Sequence, residues 1–224
     1  MLQGHTSLDF LQGEERRCAR AVLTPSLGLE LISELMPAEQ NPEHLLDTAL
    51  TALSAAADWR GVLDELPAPI YTTDAYGGVT YWNRACVAFA GREPQLGKDR
   101  WCVTWQLYTT TGEPLRHEDC PMAQAIRDKQ PIRDVVAIAE RPDLSRVAFK
   151  PYPTPLFDDD GQLTGAVNML IDVTDEQSET LHEQAERCRR LAQATYDRAT
   201  SKVLGDMASG FDKTAGDLEH KRSR

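Results

Sequence analysis

The alternation of apolar and polar positions divides the chain into a helical start, a region of short strands and a helical end. Two β-rich runs within 70–82 flank the turn Ala75-Tyr76-Gly77-Gly78, which predicts a β-hairpin because glycine tolerates positive φ. Three further strands are predicted at 135–139, 147–157 and 163–173 from their β-branched and aromatic residues. This part of the chain therefore carries five predicted strands.

Two short helices are predicted between the second and third strands, one after Asn83 and one from about Pro121 to Lys129. Strands followed by helices and then by more strands are typical of the α+β class. We expect a five-stranded antiparallel sheet in the order 2-1-5-4-3, with the helices on one face.

The helical segments suggest four parts: an N-terminal extension at 1–40, an amphipathic lead helix at 41–66, the sheet domain at 67–174 and a C-terminal part at 175–224. The lead helix has a nearly heptad apolar pattern, typical either of packing on its own domain or of a dimer. The C-terminal part has two apolar traces of different phase, which fit a helical hairpin or one long helix with a stutter. The first trace is Leu181, Ala185, Cys188 and Ala192, and the second is Leu204, Met207, Phe211, Ala215 and Leu218.

The net charge and the cysteines limit which partners and which cellular compartment we expect for the protein. The net charge of −11 argues against a nucleic-acid binder, which needs clustered Lys and Arg. The sequence has neither an apolar run long enough to cross a membrane nor a secretory signal at its start. Its five cysteines include no CxxC pair, so we expect no disulfide framework and no metal site. A cytoplasmic location is expected.

Four segments, in order after the lead helix, carry a family resemblance: LPAPIYTTDAYGGVTYWNRA, GREPQLGKDRWCVTWQLY, HEDCPMAQAIRDKQPIR and GAVNMLIDVT. Together they resemble a PAS domain from about Leu63 to Thr174, which is about half of the chain. They are most similar to the PAS sensor domains of HWE-type histidine kinases of alphaproteobacteria. The ending Asp172-Val173-Thr174 resembles the DxT junction of that fold, where the last strand leaves for a signalling helix.

The resemblance does not extend to a kinase domain. A sensor kinase would continue with a phosphoacceptor helix and an ATP-binding domain, and the fifty residues after Thr174 resemble neither. We therefore interpret His182, on the predicted signalling helix, as a solvated residue rather than a phosphoacceptor. A kinase remnant that acts in trans is the enzyme alternative.

The resemblance also implies a space between sheet and helices, which some PAS domains fill with haem, flavin or a metabolite. The residues predicted to line it are Tyr81, Trp101, Trp105, Met122, Ile126, Phe149, Asn168 and Leu170. Aromatic and methionine side chains in such a pattern more often belong to a packed core, so no cofactor is predicted. Haem and flavin remain as alternatives. His117 would be the haem donor, Cys102 departs from the flavin-binding pattern, and Cys86, Cys102 and Cys120 are redox candidates or inert buried thiols.

These expectations favour a non-enzymatic PAS sensor. It would bind a small molecule or a partner, and it would transmit the resulting change in packing through Asp172 and Thr174 to the C-terminal helix. The alternative is an adaptor without ligand that docks to a separate histidine kinase or response regulator. A homodimer is expected, and the apolar seam on the helix after Thr174 would pair with a second subunit or with a signalling partner.

Overall fold

The computed structural model describes residues 41–55 and 57–219. The predicted extension at 1–40, together with Ala56 and the basic tail at 220–224, lies outside the described residues. The helices are α1 (Pro42–Ala55), α2 (Trp59–Glu65), α3 (Arg84–Ala90), α4 (Pro121–Asp128), α5 (Thr174–Ala194) and α6 (Arg198–Glu219). The strands are β1 (Ile70–Asp74), β2 (Val79–Trp82), β3 (Gln106–Tyr108), β4 (Pro114–Leu115), β5 (Ala137–Glu140), β6 (Arg146–Pro151), β7 (Thr154–Phe157) and β8 (Leu163–Asp172).

The described strands form one antiparallel sheet in the order β2-β1-β8-β6-β5-β3-β4, and β7 pairs with β8 beyond the end of β6. Its central part, β2-β1-β8-β6-β5, has the predicted 2-1-5-4-3 order, which is confirmed. The short hairpin β3–β4 adds two strands outside β5 that were not predicted. Strand β7 is a separate element because Pro151 and Pro153 lack the N–H groups that a continuous ladder needs.

Strand β8 lies at the centre of the sheet and is buried on both faces. Its residues 165–170 are all buried, which explains the nearly continuous apolar run in the sequence. Ala166 and Leu170 point to the inner face of the sheet, which carries α3 and α4. Val167 and Met169 point to the outer face, where α1 and α2 pack.

The turn between β1 and β2 forms as predicted. The carboxylate of Asp74 accepts hydrogen bonds from the backbone N–H groups of Tyr76 (2.8 Å) and Gly78 (2.9 Å). Gly77 has φ +85°, and a Cβ added there would lie 2.1 Å from the ring of Trp101. Glycine is required at this position both by the backbone conformation and by the tryptophan that covers it.

The segment 41–66 forms two helices rather than the single lead helix that we expected. The second helix starts at its own cap, because the Asp58 carboxylate accepts a hydrogen bond from the N–H of Gly61 at 3.1 Å. The apolar sides of both helices pack on the outer face of the sheet, with Leu46, Ala49 and Leu63 almost fully buried. This packing favours the first interpretation of the apolar pattern, in which the lead segment packs on its own domain rather than in a dimer.

The C-terminal part forms a helical hairpin, the first of the two predicted alternatives. Helix α5 ends at Ala194, where Thr195 takes an extended conformation (φ −90°, ψ 140°), and α6 returns alongside it. We call α5 and α6 together the C-terminal hairpin. It packs on the outer face of the sheet next to β5 and β6, in one cluster with Ile138 and Ala148. Both faces of the sheet therefore carry helices.

Candidate functional site

The junction between β8 and α5 is held by four hydrogen bonds. The Thr174 hydroxyl donates to the Asp172 carboxylate (2.6 Å), which also accepts from the Thr174 N–H (2.9 Å). The same hydroxyl accepts from the backbone N–H of Ala148 in β6 at 3.1 Å. The N–H of Val173 donates to the carbonyl of Ala148 at 2.9 Å. Both backbone groups of Ala148 are thus bound by the junction, which links the end of β8, the middle of β6 and the start of α5.

Ion pairs connect the C-terminal hairpin to the sheet. The guanidinium of Arg146 in β6 lies 3.0 Å from Glu140 in β5 and 2.9 Å from Asp217 in α6. It also lies 4.2 Å from the centroid of the Tyr108 ring in β3, which adds a cation–π contact. The Arg146 side chain is 17% exposed, so this pairing is screened less than a surface ion pair. Arg146 therefore joins two strands to the last turn of α6.

Polar contacts also join the two helices of the hairpin. The carboxylate of Glu219 accepts from the hydroxyl of Ser178 at 2.6 Å and lies 3.0 Å from Nε2 of His182. These hydrogen bonds hold the pKa of Glu219 below its ordinary value. His182, predicted to be a solvated helix residue, is exposed and takes part in this interhelical contact.

The predicted apolar seam of α5 faces inward. Leu181 and Ala185 are fully buried, and Cys188 is nearly so. Leu181 packs with Ala215 and Leu218 of α6 against the sheet. Ala185 and Cys188 pack against α6 in a second cluster. The expectation that this seam meets a second subunit is therefore wrong for the folded hairpin, because α6 supplies the second half of the heptad contact.

Four of the predicted pocket residues lie together in the inner core, between the sheet and its inner helices. They are Met122, Ile126, Phe149 and Leu170, each buried. Phe149 meets Phe89 of α3 edge to face, with ring centroids 5.4 Å apart. These contacts pack α3 and α4 directly onto the sheet.

Trp101 and Asn168 contribute polar groups at this core. The hydroxyl of Tyr71 donates to the Trp101 carbonyl (2.9 Å) and accepts from the Asn168 amide (3.0 Å). The Asn168 side-chain oxygen accepts from the N–H of Tyr152, between β6 and β7, at 2.9 Å. Burial raises the pKa of Tyr71, so this hydroxyl stays protonated. Tyr71 is the centre of the network and was missed as a site residue.

Tyr81 does not line the inner core, which corrects the prediction. It packs on the outer face beneath α2, with its hydroxyl 3.0 Å from the Asp64 carboxylate. The cause is a register shift, in which Thr73 pairs with Val79 while the adjacent Thr72 pairs with Tyr81. The extra residue puts Val79 inside and Tyr81 outside.

Trp105 also lies outside the core and is 53% exposed. The chain leaves the core just before it, since Val103 and Thr104 are buried and β3 starts at Gln106. Trp105 instead borders a surface groove of about 270 Å³ with Tyr108, Arg116 and His117.

The three cysteines named as redox candidates are buried in the inner core. Cys86 donates to the carbonyl of Ile70 (3.2 Å), and Cys102 lies 3.1 Å from the Thr104 hydroxyl. Burial raises the pKa of Cys86 well above its ordinary value and that of Cys120 to about 12. Protonated, enclosed thiols are poor nucleophiles, so the geometry favours the inert role for Cys86 and Cys120.

His117, the haem candidate, starts a short 3-10 helix at 117–119 beside the surface groove. Burial and the nearby charge of Arg92 lower its pKa, which favours the neutral imidazole.

The inner layer packs through Phe89, Phe149 and Met122 where a haem or flavin would lie, so these residues do not fit either group. Within residues 41–55 and 57–219, no group of three or more His, Cys, Asp or Glu side chains is arranged to hold a metal ion.

Asn83 and Arg146 have structural roles beyond the sequence prediction. Asn83 was predicted as a helix cap, and its fully buried amide also donates to the carbonyls of Leu63 (3.0 Å) and Ala68 (2.9 Å). Its side-chain oxygen accepts from the N–H of Ile70 at 3.0 Å. Asn83 thereby joins α2, β1 and α3. No sequence pattern marks Arg146, because its partner Asp217 comes from a distant segment and its partner Glu140 lies opposite it on the adjacent strand β5.

Residues 63–178 match the protein family PAS_4, the members of which have the PAS fold. The chain belongs to the PAS family. The match covers the end of α2, the whole sheet, the inner helices and the start of α5. The segment Asp172-Val173-Thr174 therefore lies within the family region, and most of the C-terminal hairpin lies beyond it. Among curated proteins none matches the sequence.

Solved structures similar to this PAS chain include light-oxygen-voltage domains. One, described with a flavin analogue, is 15% identical, with coverage of 59% of this chain and 98% of that chain and a TM-score of 0.43. The LOV domain of the Erythrobacter litoralis EL346 blue-light activated histidine kinase is 20% identical, with 49% and 98% covered and a TM-score of 0.38. The Rhodobacter sphaeroides LOV protein is 13% identical, with 81% and 98% covered and a TM-score of 0.40.

In the described part of the chain, none of the helices has both the length and the apolar character that crossing a membrane requires.

Proposed function

We propose that this chain is a non-enzymatic, cytoplasmic PAS signalling module whose output element is the C-terminal hairpin. The observation that carries the proposal is the double contact of Thr174, which binds Asp172 at the end of β8 and Ala148 in β6. A shift of β8 against β6 would change both contacts at the first residue of α5. The junction is therefore suited to convert a rearrangement of the sheet into a movement of the hairpin.

The proposed mechanism is a population shift between two states of the hairpin. In the docked state, Leu181 and Leu218 cover the outer face of the sheet and Arg146 binds Asp217. In the undocked state these apolar surfaces would be free for a partner protein, such as a separate histidine kinase or response regulator. A ligand or partner can drive the shift only by its different affinity for the two states.

The experiment is the paired replacement of Asp172 and Thr174 by Ala in the full chain. The proposal expects faster amide hydrogen exchange in α5 and α6, and altered oligomeric state or partner binding. Unchanged exchange, oligomeric state and binding would contradict a transmitting role for the junction. Replacing Asp158 by Ala, in the exposed turn before β8, is the control. Turnover of ATP by the purified protein would contradict the non-enzymatic part of the proposal.

A protein-interaction adaptor without ligand is the second candidate, and the packed inner core favours it. Met122, Phe149 and Leu170 fill the layer where a small ligand of a sensor would bind. Native mass spectrometry and an absorption spectrum of the purified protein separate the two candidates. A mass equal to that of the polypeptide, with no absorption above the aromatic band, supports the adaptor. A bound metabolite, haem or flavin supports the sensor.

A further inference from the structure

A surface groove of about 450 Å³ lies between the start of α5 and the end of α6. The residues that line it are Thr174, Asp175, Ser178 and Glu179 of α5 and Leu218 and Glu219 of α6. Asp175 and Glu179 are exposed and lie one turn apart on the same side of α5. The groove is therefore acidic along its α5 side and lies next to Thr174, the residue of the junction that contacts β6.

The contacts within the C-terminal hairpin define the register of its two helices. Arg189 of α5 contacts Asp212 of α6, and His182 of α5 contacts Glu219 of α6. Going back from Arg189 to His182 on α5 thus corresponds to going forward from Asp212 to Glu219 on α6. Glu219 also accepts from the hydroxyl of Ser178 at 2.6 Å, so it lies against two successive turns of α5.

Continuing this register beyond Glu219 leads into the groove. Arg222 follows Glu219 by three residues, so it comes opposite the positions three residues before the two α5 partners of Glu219. These positions are Asp175 and Glu179. The antiparallel register therefore puts a guanidinium beside the two exposed carboxylates of the groove.

The segment 220–224 is complementary to the groove in charge and sufficient in length. Its cations are Lys221, Arg222 and Arg224. The segment begins directly after Glu219, which itself lines the groove, and five extended residues span about 17 Å. It can therefore reach both carboxylates without any rearrangement of α5 or α6.

We propose that residues 220–224 bind in this groove, with the Arg222 guanidinium between the carboxylates of Asp175 and Glu179. The occupant is argued from three observations: the segment starts at the groove, the hairpin register continues into it, and the charges are opposite. The bound segment is a latch that joins the first turn of α5 to the end of α6. Its placement is independent of the proposed function, whereas its role in holding the hairpin docked rests on that function. Because the charges are exposed, the latch is weak and is released by salt.

Carbodiimide cross-linking of the full-length protein tests the placement. The reagent forms an amide between a lysine amine and a carboxylate that are in contact, and Arg222→Lys keeps the cation while supplying the amine. We expect cross-links from the lysine introduced at position 222 to Asp175 or Glu179, identified by peptide mass spectrometry. Their yield should fall severalfold in about 1 M sodium chloride. Lys213, exposed on α6 and distant from the groove in the register, is the internal control and should not link to either carboxylate.

Charge reversal tests the effect of the latch on the hairpin. Arg222→Glu and Glu179→Arg each place like charges on both sides of the groove. We expect amide hydrogen exchange in the first turns of α5 to become about threefold faster in each variant, the size of effect typical of an exposed ion pair. The double variant R222E/E179R restores an opposite pair and should return toward the wild-type rate. Lys213→Glu changes the net charge equally and is the matched control, and circular dichroism checks folding.

Two results would overturn the inference. One is the absence of cross-links from position 222 to the groove, or cross-links of equal yield to carboxylates elsewhere on α5. The other is an exchange rate that neither single reversal changes, or a double variant that exchanges as fast as the single ones. The paired replacement of Asp172 and Thr174 tests the proposed function without involving the latch, so the two ideas fail separately.

Discussion

The hydroxyl of Thr174 accepts a hydrogen bond from the backbone N–H of Ala148 at 3.1 Å, so the first residue of α5 is bound to the middle of β6. Replacing Thr174 by Val keeps the shape of the side chain and removes the acceptor. The Ala148 N–H then loses its partner, which we expect to lower the free energy of unfolding by about 1–3 kcal/mol. Urea denaturation measures this, and Thr174→Ser, which keeps the hydroxyl, should stay much closer to the wild type. Equal stability of the Val variant and the wild type would argue against the contact.

The sheet could be predicted from the sequence because its signals are local. β-branched and aromatic residues on both sides of the Gly77-Gly78 turn define β1 and β2, and the long apolar run defines β8. The strands β3 and β4 were missed because they have only three and two residues, too few to show a periodic pattern. The order of the central strands was predicted from the succession of strands and helices along the chain.

The candidate site was only partly predictable, for physical reasons. Met122 and Phe149 lie in the inner core between the sheet and its inner helices, which is the layer that the family resemblance implied. Tyr81 was misplaced because a one-residue register shift reverses the face of every residue beyond it, and nothing in the run Val79–Trp82 marks that shift. The pairing of Arg146 with Asp217 depends on the return of α6, which the sequence left open between a hairpin and one long helix.

The ion pair between Arg146 and Asp217 should contribute measurably to docking of the hairpin. We expect a double-mutant cycle with Arg146→Met and Asp217→Asn to give a coupling free energy of about 1 kcal/mol. The cycle is needed because Arg146→Met alone also leaves the Glu140 carboxylate without this partner. The more exposed pair Lys150–Glu176 is the matched control and should give a smaller coupling. A coupling near zero for Arg146–Asp217 would show that this ion pair does not contribute to docking of the hairpin.

Asn83 should be among the side chains most sensitive to truncation. Asn83→Ala leaves the N–H of Ile70 and the carbonyl of Ala68 without these partners inside the core, and it removes one of the two donors to the Leu63 carbonyl. We expect a loss of about 3 kcal/mol or more in the free energy of unfolding, measured by chemical denaturation. Asp58→Ala removes an exposed cap and should lose only about 1 kcal/mol. If the two variants lose similar amounts of unfolding free energy, the buried hydrogen bonds of Asn83 stabilise the fold less than their geometry implies.

Stability should fall at alkaline pH because of Cys120. Burial raises the pKa of its thiol from the ordinary value of 9.0 to about 12. Between these values the unfolded chain loses this proton and the folded chain keeps it. The stabilisation is therefore fully present below pH 9 and is lost as the pH rises toward 12.

The Cys120 contribution has a slope of about 1.4 kcal/mol per pH unit in that window. Cys86 and Tyr71, whose pKa values burial also raises, act in the same direction. Denaturation at several pH values should therefore show a flatter decline for Cys120→Ala than for the wild type. Parallel declines would mean that the thiol ionises in the folded state as easily as in the unfolded chain.

The central claim is that the C-terminal hairpin lies on the outer face of the sheet, where Leu181 packs in one cluster with Ile138 and Ala148. Methyl–methyl nuclear Overhauser effects in the full-length protein test it directly. We predict cross-peaks from the Leu181 methyl groups to the methyl groups of Ile138 or Ala148, together with cross-peaks to Leu218. Cross-peaks from Leu181 to Leu218 alone, with none to the sheet, would show a hairpin that forms without docking and would contradict the account.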